Sequence, residues 1–309
     1  MPCSNTGMTT APTPSNWLSI LALGLIWGGT FMVVSIALEG YGPITVACAR
    51  TTLGAIALLT ARAIMRRPMP ARSDFKLWRY IAIIGVLSTA FPFMLLSWGQ
   101  QYVPSAFAGI SMSAVPLMIL PLAHYFSDER LSIRKFTGVF FGFIGAVVLI
   151  GPGVMQLGQG TEPLAQIACL GAALCYALSS ILTRRCPPVD PVTLSALALA
   201  MGAIVLVPSM LIFEGVPQWV GARSSLAILF LGFFPTALAT LLRVQVIRTA
   251  GSVFMTLVNY QVPLWSMIFG AWVLSEDLPL RFFAALALIL IGLAVSQLAG
   301  ITRWFLPRA

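Results

Sequence analysis

Charge is what this sequence has least of. Only 9% of its 309 residues are Asp, Glu, Lys or Arg, against about a quarter in an ordinary soluble domain. A water-facing surface cannot be assembled from that supply, which excludes a soluble enzyme. Acidic residues are the scarcer sign, nine against eighteen Lys and Arg, and histidine occurs once. The five cysteines (Cys3, Cys48, Cys169, Cys175, Cys186) are odd in number and follow no metal-ligand spacing. That excludes a disulfide framework and a zinc site. Also missing are a nucleophile elbow, an HExxH pair and a phosphate-cradling P-loop. The lone His124 supplies neither a nucleophile nor a metal set, and its expected role is an interfacial one near Asp128 or Glu129. No catalytic residue, metal or cofactor is assigned.

What the chain has in excess is apolar length. Hydrophobic residues make up 59% of it, and the mean hydropathy is +0.93. A transmembrane helix needs about 20 apolar residues. Ten runs approach that length: 17–38, 43–65, 77–98, 105–125, 136–150, 163–182, 191–213, 226–246, 252–274 and 282–301. Barrel strands alternate with period two and these runs do not, so they read as helices. The predicted fold class is an all-α integral membrane protein of ten transmembrane helices.

The net charge of +9 does not point to nucleic acid, because the cations sit in short clusters between apolar runs. Basic loops mark the cytoplasmic face. With the N-terminus inside, that face collects Arg62, Arg66, Arg67, Arg72, Lys76, Arg79, Arg130, Arg134, Lys135, Arg184, Arg185, Arg248, Arg303 and Arg308. The opposite face keeps only Arg223 and Arg281. Residues 1–16 are polar and carry no Lys or Arg, as a cytoplasmic tail without a cleavable signal would be. The expected location is a bacterial inner membrane, with both termini cytoplasmic.

The chain also repeats itself. A shift of 147 positions pairs Thr89 with Thr236, Ser105 with Ser252 and Phe107 with Phe254. The same register pairs Val115-Pro116-Leu117 with Val262-Pro263-Leu264, Glu129 with Glu276, Arg134 with Arg281 and Gly145 with Gly292, without a gap. Each half holds five runs, an odd number, so the copies are expected to enter the membrane with opposite topology. Such repeats are found in secondary transporters, which bind substrate near the midplane. The expected organisation is a first repeat at 17–151 and a second at 163–303.

The stretch Gly24-Leu-Ile-Trp27-Gly-Gly-Thr30-Phe31, Arg50 in the second run, and the paired Ser-Ala/Val-Phe…Val-Pro-Leu…Glu-x-Leu blocks resemble the EamA-type members of the drug/metabolite transporter superfamily. The resemblance spans nearly the whole chain and implies a carrier, with export the direction of many relatives. Tyr176 stands where the second copy often has Trp.

Individual residues sharpen this expectation. All nine carboxylates fall in loops or at run ends. Ion-coupled pumps usually carry one inside the membrane, so a facilitator or exchanger is favoured. Arg50 lies about 10 Å into its helix, seven residues past Pro43. It reads either as a clamp for a substrate carboxylate or part of the outer gate, or as a structural bridge, for instance to Glu39. Arg243, near a helix end, reads as a snorkelling cation. Pro116 and Pro263 mark matched helix breaks, which in transporters point to the binding site. Ser111 and Ser113 precede the first, and Asn259, Tyr260 and Gln261 the second. With Trp27, Thr30, Phe31, Arg50, Phe93, Trp98 and Tyr176 they form the candidate substrate-binding set. Gly24-xxx-Gly28 and Gly138-xxx-Gly142 are close-packing spacings within one chain. They leave the oligomeric state unassigned.

The expected function is a carrier of small, partly apolar metabolites such as amino acids. Two other readings stay open: an organic-cation efflux carrier using an aromatic cage, and a non-transporting membrane scaffold. The expected partners are a small-molecule substrate and the lipid bilayer, with no nucleic acid.

Overall fold

The computed structural model describes residues 13–126, 132–151 and 160–305; for Phe126, Ser252, Val253 and 297–305 it describes the backbone alone. All ten apolar runs are helical, and no strand occurs among the described residues. The helices are α1 (Pro14–Leu38), α2 (Pro43–Ile64), α3 (Phe75–Gly99), α4 (Ser105–Tyr125), α5 (Ile133–Ile150), α6 (Glu162–Arg185), α7 (Pro191–Phe213) and α8 (Ala222–Ala250). They continue with α9 (Val258–Val273), entered through the single turn Ser252–Met255, and α10 (Leu280–Phe305). The first eight are long and apolar enough to cross a bilayer, and Leu280–Ser296 of α10 is a shorter apolar helix. The other run is cut to 16 residues of continuous helix because the chain turns out of helix at Thr256–Leu257.

Starts and stops follow local chemistry. Proline opens α1, α2 and α7, where its missing N–H has no helical partner to lose. Asp74 and Ser132 cap α3 and α5 by accepting from Leu77 N–H at 3.0 Å and Lys135 N–H at 3.3 Å. Two further caps come from the other half of the chain. The Glu214 carboxylate, just past α7, accepts from Ile44 N–H (2.8 Å), Thr45 N–H (2.7 Å) and the Thr45 hydroxyl (2.6 Å) at the start of α2. After α9, Ser275 takes a left-handed conformation (φ 53°), and the Glu276 N–H donates back to the Gly270 carbonyl at 3.0 Å. That turn delivers the Glu276 carboxylate to the start of α4, where Ser105 N–H (2.6 Å) and Ala106 N–H (3.1 Å) donate to it. Each carboxylate satisfies orphan donors and meets the positive end of a helix dipole.

Contacts between the halves are reciprocal. Gly54 of α2 takes the side chain of Thr236 from α8, and Gly202 of α7 takes that of Thr89 from α3. A methyl group at Gly54 would lie 2.5 Å from Thr236 Cγ2, and one at Gly202 closer still to Thr89 Oγ1. Both threonines sit in π-helical turns, Val86–Ala90 and Gly232–Leu238, which overlap under the same shift of 147 positions. Within these turns Thr89 donates to the Gly85 carbonyl and Thr236 to the Leu231 carbonyl, each at 2.7 Å. The glycine pairs singled out in the sequence also pack within the chain. Gly24 and Gly28 meet Gln261 and Trp265 of α9, while Gly138 meets the Gly292 carbonyl of α10 and Gly142 meets Leu117 of α4.

One expected break is corrected. In α4 the chain leaves the helix at Ser113–Ala114, immediately before Pro116. Pro263, by contrast, lies inside a continuous helix. Its ring removes the one N–H that would have met the Asn259 carbonyl, and the helix runs on through that single lost bond.

Placing valine at Gly202 should therefore strain the seam between α7 and α3 by about 1–3 kcal/mol of overpacking. Thermal unfolding of purified protein in detergent should show a lowered midpoint for Gly202→Val, partly restored by adding Thr89→Ala. A wild-type melting curve for the single variant would contradict the seam described here.

Candidate functional site

Arg50 is 5% exposed, inside α2. The guanidinium lies over the Phe93 ring of α3, 3.8 Å from its centroid. Its Nε is sealed from solvent without a hydrogen-bond partner, and among the described residues it forms no ion pair. The bridge to Glu39 is not made, because Glu39 pairs with Arg223 at 3.3 Å. Tyr176 of α6 packs in the same cluster as Phe93, the ring that Arg50 covers. Tyr176 and Phe93 pack with Ala47 and Cys48 of α2 and with Leu206 and Met210 of α7. A desolvated cation held this way attracts any anion that reaches it.

No described carboxylate competes for that role. Glu39 is paired with Arg223, and Asp74, Glu214 and Glu276 cap helices. Glu162 holds the Gln166 amide at 3.1 Å, and Asp190 caps α7 and faces Arg67 at 3.7 Å. Asp277 is exposed in a loop, and Asp128 and Glu129 lie outside the described residues. His124 is exposed near the end of α4, its ring 5.6 Å from that of Tyr125.

The other candidates divide into those at interior polar positions and those absorbed by packing. The Trp27 indole donates to the Pro235 carbonyl at 3.2 Å, a group within the π-helical turn of α8. Trp27, Trp98 and Tyr176 border the same apolar core, and Trp98 also packs on Tyr102 with ring centroids 5.5 Å apart. On α9, the Tyr260 hydroxyl and Gln261 Oε1 are sealed without partners, while Asn259 is half-buried beside them. Thr30, Ser111 and Ser113 are buried and donate to backbone carbonyls of their own helices, those of Ile26, Phe107 and Ile110. Phe31 is core, packed on Gly109.

One interior residue was not among the sequence candidates. Gln100, at the end of α3, donates to the Phe31 carbonyl (2.8 Å) and the Ser35 hydroxyl (3.0 Å) of α1. An amide closing an otherwise apolar run was the signal for it. Arg243, read from the sequence as a snorkelling cation, is exposed on α8. Ala239, Val246 and Ala250 are all 0% exposed and share its face of α8 at helical spacing, yet Arg243 between them is exposed. The opposite face, Leu238, Gln245 and Thr249, is exposed as an outer surface would be. Arg243 is thus the exposed position on an otherwise buried face of α8. Its phase against Ala239 and Val246 was visible in the sequence.

Ties between elements concentrate at one end of the bundle. There Tyr41 and Ser225 hydroxyls meet at 2.7 Å, Ser224 donates to the Ile36 carbonyl at 3.0 Å, and Glu39 pairs with Arg223. Gln100 brings the end of α3 beside the end of α1, so the Glu214 and Glu276 caps belong to this end too. Arg243 lies toward the other end, where Thr249 donates to Asn16 Oδ1 at 2.8 Å. A shallow apolar groove between α1 and α8, lined by Val33, Ile36, Arg223 and Phe230 among others, contains none of the candidate residues.

The pattern of the EamA-like transporter family matches this sequence twice, at residues 15–151 and 163–297. The uncharacterized transporter YoaV of Bacillus subtilis (strain 168) is 23% identical over 89% of this chain and 94% of its own. The uncharacterized inner membrane transporter YedA of Escherichia coli (strain K12) is 24% identical over 91% and 90%. A probable terminal-alkyne amino-acid exporter of Streptantibioticus cattleyicolor is 26% identical over 43% of each chain. A crystal structure 20% identical in sequence superposes with a TM-score of 0.64 over 92% of this chain and 98% of that one.

In membrane vesicles, a cysteine introduced at Arg243 in a cysteine-free background should react with a charged, water-soluble thiol reagent. Cysteines at Ala239 (buried) and Gln245 (on the outer face) should stay unlabelled. Labelling at Gln245 without labelling at Arg243 would put solvent on the other face of α8.

Proposed function

The chain belongs to the EamA-like transporter family, and on that premise we propose that it is a secondary carrier moving small, partly apolar metabolites such as amino acids by alternating access. The family and the membrane-spanning helices make it a multi-pass membrane protein with a transported solute. In this reading ten spans form two inverted five-helix repeats, 17–151 and 163–303, in a bacterial inner membrane. Residues 1–16 and the C-terminus are cytoplasmic, as the basic loops suggest.

The observation that carries the reading is the uneven access to the interior. Arg243, toward one end, is exposed while Arg50 is almost wholly enclosed, and the opposite end is tied by Glu39, Tyr41, Glu214, Glu276 and Gln100. A half-open path ending at unpaired polar groups is what one state of an alternating carrier requires. The reciprocal Gly54–Thr236 and Gly202–Thr89 contacts support inverted repeats rocking about a shared seam. Trp27, Arg50, Phe93, Trp98, Tyr176, Asn259, Tyr260 and Gln261 line the path in this proposal. Thr30, Phe31, Ser111 and Ser113 shape its walls from behind. The amino-acid exporter among the relatives, similar over 43% of this chain, supports the solute class, and the direction proposed is export or facilitated exit. With no carboxylate in the described interior, movement follows the solute gradient.

Reconstituted in liposomes, the protein should take up at least one member of a panel of neutral and aromatic amino acids, organic cations and purines. Uptake should saturate without a pH gradient, and Trp27→Ala should reduce it at least tenfold. That magnitude combines loss of the ring with an unpaired Pro235 carbonyl. Uptake strictly dependent on the gradient would overturn the facilitator reading, and no uptake of any solute would overturn the carrier.

A further inference from the structure

We infer that the transported solute presents a carboxylate, which enters at Arg243 and is bound at Arg50. The inference rests on the carrier reading and narrows it. Two cations face the interior of the bundle, Arg50 from α2 and Arg243 from α8, and every described carboxylate is committed at a helix end or exposed in a loop. The interior therefore holds positive charge that the chain does not neutralise. A charge in a membrane interior is costly without a partner. Arg50 has a ring on one face, a sealed Nε, and no ion pair or hydrogen bond to a described residue.

The two cations stand at different depths. Helices α2 and α8 both begin at the tied end, since the α1 end and the α8 start are joined by Glu39–Arg223 and Ser224–Ile36. The helices meet where Gly54 receives Thr236. From that level Arg50 is four residues toward the tied end, roughly 6 Å, and Arg243 seven residues toward the other, roughly 10 Å. An anion arriving from solvent meets Arg243 first and Arg50 last. Around Arg50 the surroundings divide by chemistry. The Tyr176 phenol supplies a polar neighbour, while Phe93, Leu206 and Met210 supply apolar surface. A guanidinium binds a carboxylate with strong, directed hydrogen bonds, and the apolar lining suits a hydrocarbon or aromatic remainder. The same field repels organic cations, which separates this reading from cation efflux.

Binding to the purified full-length protein tests this without requiring transport. The probes are 3-phenylpropionate and 3-phenylpropylamine, matched in apolar body and opposite in charge, followed by isothermal titration. The acid should bind saturably and the amine should not. Arg50→Gln should weaken the acid roughly ten- to hundredfold, as expected for removing a charge-assisted contact, and Arg50→Lys should recover part of that loss. If Arg50→Gln does not fold, Tyr176→Phe and the acid–amine comparison on the unmodified protein still decide. Acid binding no tighter than amine binding, including no binding of either, overturns the inference. So does an Arg50→Gln protein that binds the acid unchanged, or displacement of the acid by equimolar chloride, which would mark an inorganic-anion site. The two readings fail separately. Acid binding without uptake of any solute would remove the carrier and keep the anion site, whereas uptake with equal acid and amine binding would do the reverse.

Discussion

The two halves approach closely where a threonine side chain drops into the space above a glycine. It happens twice, Thr236 on Gly54 and Thr89 on Gly202, and the rest of the bundle is arranged around those contacts. In lipid there is no hydrophobic drive to push helices together, so small residues and close packing decide which surfaces associate. Larger residues at these glycines would hold α2 off α8 and α7 off α3. The enclosed space around Arg50 and Phe93 would then open to lipid. Enclosure of the Arg50 guanidinium thus depends on two missing side chains elsewhere.

Scarcity of acid gives the structure its electrostatic character. Nine carboxylates serve a chain of 309 residues, and Asp74, Glu162, Asp190, Glu214 and Glu276 sit at helix starts, where dipoles and bare N–H groups favour them. Glu214 and Glu276 each leave one half to finish a helix of the other. This deployment closes one end of the bundle and leaves the interior with arginine alone. Selectivity for charge sign follows from where the acids went as much as from where the bases are.

Much of the architecture was legible in the sequence because lipid imposes long apolar runs and a repeat preserves register. The runs, the absence of strand alternation and the glycine spacings of α1 and α5 all follow from composition and period. What escaped was information carried by pairing or by phase. The π-helical turns have no compositional mark, since Val86-Leu-Ser-Thr-Ala90 reads as ordinary apolar helix. Pro263 matches Pro116 in sequence, yet the helix around it stays continuous although the Asn259 carbonyl loses its donor. Glu214 and Glu276 could be placed at helix ends, but not assigned to the particular helices they cap. Of the candidate site, Arg50, Phe93 and Tyr176 converge, while Ser111 and Ser113 proved to be bound to their own backbone.

The π-helical turns also carry a record of descent. Such a turn winds an additional residue into the space of an ordinary one, so it arises most simply when a single residue is inserted into a regular helix. Val86–Ala90 and Gly232–Leu238 coincide when one half of the chain is laid over the other. One insertion inherited twice is more economical than two insertions at the same place. By that logic the irregularity predates the doubling of the gene, and the ancestral half-length protein already carried it. Its threonine and its glycine would then have belonged to one short chain, meeting across the interface of a homodimer.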